Sequence, residues 1–144
     1  MDPLAGAAGV AALVSLATLI GLVLRRRSSR VKRGDGSGQA LDPADFGLDR
    51  FGPAGAVVQF STEFCSRCPG VQRHLSALSG QHASLQFLHL DVTRKPEVAT
   101  KYRLLQTPTV LTIGSDGILR SRLSGALTRE QLAAAVNELT GESP

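Results

Sequence analysis

The 144-residue sequence has no Trp, one Tyr and only two Cys. Two cysteines exclude a multi-disulfide scaffold and an all-cysteine zinc site. With three His they still permit a mixed zinc site on paper. Charged residues make up 19% of the chain, an ordinary share that argues against wholesale disorder. Basic charge is scarce outside one place. Arg25, Arg26, Arg27, Arg30, Lys32 and Arg33 supply six of the 16 Lys and Arg within nine residues. Residues 34–144 hold 10 basic and 11 acidic side chains, a net of −1. The body therefore has no basic surplus to form a nucleic-acid face, and no nucleic acid is expected as a partner.

Charge of either sign is missing from Leu4 to Leu24, where Ser15 and Thr18 are the polar side chains. At about 1.5 Å per residue, a helix of that length crosses roughly 30 Å of hydrocarbon. A buried helix of a soluble core usually carries a polar stripe or stops sooner. A cleaved signal peptide has a basic start and a shorter apolar stretch, whereas this segment is preceded by Asp2 and no Lys or Arg. The expectation is one retained transmembrane helix in residues 1–24, with membrane contact through residues 4–24. Six basic residues after the span and none before it place the N-terminus outside and residues 25–144 in the cytoplasm. Residues 25–40 are expected to form a basic juxtamembrane run followed by a flexible linker, Gly34-Asp35-Gly36-Ser37-Gly38-Gln39-Ala40.

The remainder alternates strand and helix. Ala56-Val57-Val58-Gln59-Phe60 is an apolar run after Gly-Pro-Ala-Gly and predicts a buried strand. Val71, Leu75 and Leu78 recur at helical spacing before Gly80, giving a helix over 66–79. Leu85–Leu90 is the next strand, and Pro96 opens a helix running to about Tyr102. Thr109–Ile113 and Ile118–Leu123 flank the turn Ser115-Asp116-Gly117. Thr128 and Gln131 form a capping box ahead of Leu132, Val136 and Leu139. The order β-α-β-α-β-β-α predicts an α/β fold, a mixed sheet with helices on both faces. Leu41–Gly55 reads as a short helix or an irregular edge.

Cys65-Ser66-Arg67-Cys68 joins the first strand to the first helix. A cysteine at a helix start faces unpaired N–H groups and the positive end of the helix dipole, both of which favour thiolate. Ser66 and Arg67 lie between the sulfurs, and the Arg67 charge acts in the same direction. Cys65 is thus the expected nucleophile and Cys68, three residues on, its resolving partner. A zinc half-site would need two further ligands from His74, His82 and His89, and no second paired motif exists. Haem attachment would need His after Cys68, where Pro69 stands.

These elements together resemble the thioredoxin family, over roughly residues 55–140. The likeness rests on Val57-Val58-Gln59-Phe60 leading to Phe64-Cys65-Ser66-Arg67-Cys68, on Leu90-Asp91-Val92, on Thr107-Pro108-Thr109 and on Ser124-Gly125-Ala126-Leu127. It implies a thioredoxin-like domain over 41–144, a cis Pro108 against the CxxC loop, and a substrate-binding surface of Phe64, Thr107 and Pro108. The Thr107 backbone would pair with an extended substrate segment. Departures accompany the likeness. Gln59 stands where the family usually has a buried Asp, Phe87 where it has a Lys, and Ser61 where it has an aromatic. Gln cannot serve as a base. The implied activity is that of a membrane-tethered thiol–disulfide oxidoreductase reducing protein disulfides through Cys65 and Cys68. A reductase or second dithiol would restore the pair, with no cofactor and no metal. Two other readings stay open: an exported oxidant or disulfide-shuffling enzyme, and a non-catalytic binding module on the same fold.

Overall fold

A computed structural model describes residues 3–28 and 38–141, with side chains for 9–23 and 38–141. The chain divides into two units, Met1–Arg30 and Val31–Pro144. The first contains one helix, α1 (Pro3–Ser28). Ser15 and Thr18 bond back to their own helix, Ser15 Oγ to the Ala11 carbonyl at 2.8 Å and Thr18 Oγ1 to the Val14 carbonyl at 2.7 Å. Large apolar side chains from Val10 to Val23 are exposed. Among the described residues no helix is long and apolar enough to cross a membrane. The side chains at both ends of the expected span (4–8 and 24), those of the basic run (25–33) and linker residues 34–37 lie outside the described residues.

The second unit holds a four-stranded mixed sheet. A short 3₁₀ turn (Pro43–Phe46) precedes β1 (Ala56–Ser61), α2 (Cys68–Ser79), β2 (Gln86–Asp91), α3 (Pro96–Lys101), β3 (Thr109–Ile113), β4 (Leu119–Ser124) and α4 (Arg129–Thr140). Strand order is β2-β1-β3-β4, with β1 parallel to β2 and the other neighbours antiparallel. The expected element order and mixed sheet are both present. β1 and β3 occupy the middle and are buried along their whole lengths. Both of their faces are covered, which is why they read as continuous apolar runs instead of alternating ones.

Successive β1 residues enter different cores. Val57 packs with Val71 and Leu75 of α2, Val110, Leu123, and Leu132 and Val136 of α4. Val58 and Phe60 point the other way, to Phe46, Phe51, Val92, Tyr102, Leu111 and Ile113. The second face is aromatic, with the Phe46 ring centroid 5.3 Å from Tyr102 and Phe60 5.6 Å from Tyr102. The stretch 41–55, unreadable as an element, supplies Leu41, Phe46 and Phe51 to that face. Gly55 turns the chain into β1 at φ +99°, and a Cβ there would stand 2.1 Å from the Ile113 carbonyl oxygen.

Two expectations are corrected. Residues 38–40, expected as part of a free linker, lie along the start of β4. Gly38 N–H donates to the Leu119 carbonyl, Leu119 N–H to the Gln39 carbonyl, and Ala40 bridges Ile118. Backbone pairing with a sheet edge outweighs the flexibility of a Gly-rich composition there. The first helix starts at Cys68 and not at residue 66. Pro69 has no N–H and fits only the first turn, which pins the helix start beside it.

Candidate active site

β1 ends at Ser61, and the chain passes through Thr62-Glu63-Phe64 to Cys65 before α2 begins. Two side-chain bonds hold this crossing from opposite sides. Thr62 Oγ1 lies 3.2 Å from Thr107 Oγ1, and Glu63 N–H donates to Thr93 Oγ1 at 2.9 Å. Thr93 is itself fixed by Asp91, whose Oδ1 accepts from the Thr93 hydroxyl and N–H. Those two bonds, the hydroxyl's first, hold the Asp91 carboxyl below the usual carboxylate range. Neither Thr62 nor Thr93 stood out in the sequence. Asp91-Val92-Thr93 does carry a local signal, because an Asp accepting from the residue two ahead makes a tight turn.

Cys65 and Cys68 are joined in a disulfide, with Cα atoms 5.4 Å apart. The two sulfurs differ in access, since Cys65 is half-buried while Cys68 is 3% exposed. Cys65 stands in the turn ahead of α2, so the expected position on the helix is displaced outward by one turn. Cys68 N–H donates to the Cys65 carbonyl at 3.3 Å, and Val71 N–H to the Arg67 carbonyl. Ser66 and Arg67 are exposed, and Arg67 occupies the cap position without a side-chain capping bond. The Cys68 and Val71 N–H groups are thus engaged and Pro69 has none, so what the start of α2 presents to the cysteines is chiefly the positive end of its dipole.

The expected substrate-binding residues fall on two loops. Thr107–Pro108 is a cis peptide, and Pro108 is buried at the start of β3. Among the described residues none engages the Thr107 N–H or carbonyl. Phe64 is 86% exposed. Leu105, which sequence reasoning passed over, is 96% exposed two residues before Thr107. The Thr62–Thr107 contact joins the Phe64 and Leu105 loops, and among the described residues of the second unit these two are the exposed large apolar side chains.

Behind the disulfide, Gln59 is fully buried and its Nε2 donates to the Cys68 carbonyl at 2.9 Å. Phe87 packs against the apolar cluster between the sheet, α2 and α4. Ser61 Oγ lies 2.7 Å from His89 Nε2. No ionisable side chain therefore takes the place of Gln59 or Phe87 in the sequence. Among the described residues no group of three or more His, Cys, Asp or Glu is placed to hold a metal ion.

Comparison with known proteins gives a consistent result. The thioredoxin family profile matches residues 53–138. Thioredoxin-3, mitochondrial, of Saccharomyces cerevisiae is 30% identical over 70 residues, 49% of this chain and 54% of that protein. Thioredoxin H2-1 of Oryza sativa subsp. japonica is 30% identical over 88 residues, 60% of this chain and 62% of that one. The chain thus spans little more than half the length of these relatives. Fasciola hepatica thioredoxin superposes with a TM-score of 0.53 at 29% identity, covering 58% of this chain and 78% of that one. With the profile covering most of the chain, and strand, CxxC turn and helix in the order seen here, the chain belongs to the thioredoxin family.

Proposed function

We propose that this protein is a membrane-tethered thiol–disulfide oxidoreductase that reduces disulfides in protein substrates. The observation that carries the reading is the Cys65–Cys68 disulfide itself, with the more accessible sulfur ahead of a helix start and the other buried behind it. In the reduced form the Cys65 thiolate attacks one sulfur of a substrate disulfide, forms a mixed disulfide and releases the first substrate thiolate. The Cys68 sulfur then attacks Cys65 Sγ, closes the intramolecular bond and releases the second substrate thiolate. A reductase or dithiol returns two electrons and two protons. The unengaged Thr107 backbone, with Phe64 and Leu105 beside it, offers an extended substrate segment strand-like pairing and apolar contact.

Tethering rests on the uncharged stretch Leu4–Leu24 and on α1, where the Ser15 and Thr18 hydroxyls are satisfied on their own helix, as a hydrocarbon setting requires. The basic run sets the catalytic unit on the cytoplasmic side, where cellular thiols keep it reduced. Cys65→Ser abolishes reduction of a disulfide-linked model protein, and Cys68→Ser accumulates the mixed disulfide. Retained turnover in Cys65→Ser refutes the reading. In sealed inside-out membrane vesicles, added protease removes the catalytic unit. Protection there places the unit on the exported side.

A further inference from the structure

The amide of Gln59 is only half satisfied. Its Nε2 donates to the Cys68 carbonyl at 2.9 Å, which fixes the orientation of the group, because a carbonyl can only accept. The oxygen, Oε1, is then buried, and no described residue donates to it. Leaving a buried acceptor idle costs free energy. Anchored on Cys68, this oxygen lies within a few ångströms of that residue. In the disulfide the Cys68 sulfur carries no hydrogen. Reduction by a dithiol transfers two electrons and two protons, breaks the Sγ–Sγ bond, oxidises the donor to its disulfide and leaves a buried thiol at Cys68. Burial favours the neutral thiol over the thiolate at that depth.

We propose that Gln59 is a positioning residue for the redox couple, whose Oε1 accepts the S–H of reduced Cys68, so that the acceptor idle in the disulfide is satisfied only in the dithiol. This builds on the thiol–disulfide reading above and adds a redox poise to it. The bond to the Cys68 carbonyl involves backbone and requires no change on reduction, so it drops out of the redox equilibrium. The S–H bond exists on one side alone and shifts that equilibrium toward the dithiol. An amide, unlike a carboxylate, holds the proton without removing it. The nearby hydroxyl on the same face of β1, Ser61, lies 2.7 Å from His89 Nε2 and already has a partner.

The test uses the full chain in detergent micelles, equilibrated against a glutathione buffer. Gln59→Leu moves the equilibrium about fivefold toward the disulfide, the scale of one weak buried hydrogen bond. That fold-change corresponds to a potential about 20 mV more negative. In a Cys65→Ser background, where Cys68 is the sole thiol, the infrared S–H stretch moves to higher frequency on Gln59→Leu. Ser61→Ala leaves band and potential in place. Gln59→Met, similar in shape and lacking the oxygen, repeats both measurements should the leucine variant fail to fold. An unmoved band and potential in the Gln59 variants overturn the proposal, as does a band that follows Ser61→Ala. Failure of the oxidoreductase reading shows separately, as a wild-type chain inert toward protein disulfides.

Discussion

Reducing the Cys65–Cys68 bond should lower the stability of the domain by an amount that depends on pH. The bond closes a loop of four residues, since the cysteines are separated by three. The chain-entropy relation for so short a loop gives about 2 kcal/mol of stabilisation in the oxidised protein. Below the folded-state value of Cys65 both thiols of the reduced protein are neutral, and the whole difference should be visible. The helix start then works in the opposite direction. A folded-state preference for the Cys65 thiolate lowers its pKa below that of the unfolded chain. Reduced-state stability therefore rises with pH from the folded-state value and levels off above the ordinary cysteine value near 8.5. Each tenfold gain in Cys65 acidity returns about 1.4 kcal/mol to the reduced form. The oxidised form has no thiol and shows no such gain, and the buried Cys68 thiol, which stays neutral in the fold, opposes the gain only above about 8.5, where the unfolded thiol ionises. Urea unfolding of oxidised and reduced chain at pH 5, 6.5 and 8 supplies the test. The gap should narrow steadily from pH 5 to pH 8. A gap that stays flat means that the start of α2 gives Cys65 no special acidity, and the nucleophile assignment then loses its physical basis.

Phe64→Ser with Leu105→Ser should weaken reduction of protein disulfides several-fold while leaving a small aromatic disulfide reagent nearly unaffected, because the lost contact is with the substrate chain; stopped-flow rates on both substrates decide this. Gly55→Ala combines a left-handed φ with a Cβ 2.1 Å from a backbone oxygen and should cost about 3 kcal/mol, read as a fall in urea midpoint. Asp45 accepts from Lys101 and from the Tyr102 hydroxyl, and those bonds, that of Lys101 first, hold its carboxyl below the usual range. Its contribution is complete above the ordinary aspartate value near 4 and is lost as pH falls through the lower folded-state value. Asp45→Asn should therefore be destabilised by about 1 kcal/mol at pH 7 and converge on wild type in strong acid, as thermal melts at several pH values will show.

The strands and the last helix were legible because local signals and burial agreed. Ala56–Phe60 is apolar throughout because two cores flank it, and Thr128 with Gln131 makes the capping box that the pattern announced. Residues 41–55 were illegible for the converse reason. Leu41, Phe46 and Phe51 reach the aromatic core from a 3₁₀ turn and irregular backbone, so their spacing follows neither helical nor strand period. Gly38–Ala40 misled because composition reports flexibility in isolation, whereas the unpaired edge of β4 supplies partners no sequence window contains. At the site, the cysteines and Thr107–Pro108 were visible as motifs. Thr62, Thr93, His89 and Leu105 were not, because each acts through a residue at least 28 positions away or through plain exposure.

The most consequential residue is one the sequence flagged only by contrast. Gln59 sits between two central valines and Phe60 on a wholly buried strand, where a carboxylate would require a partner to offset its desolvation. Phe87 provides none, since it is absorbed into the apolar cluster against α2 and α4. A neutral amide at Gln59 and an apolar ring at Phe87 are thus mutually consistent: neither carries a charge that the other would have to offset. Gln59 itself offers Cys68 no base. In the proposed cycle the proton of Cys68 then passes to a thiolate released by the substrate or to solvent on the side of Cys65, the more exposed of the two residues. An uncharged Gln59 therefore fits a cycle in which the substrate side of the disulfide accepts the proton, and in which the proposed role of the amide is to set the equilibrium between the two sulfur states.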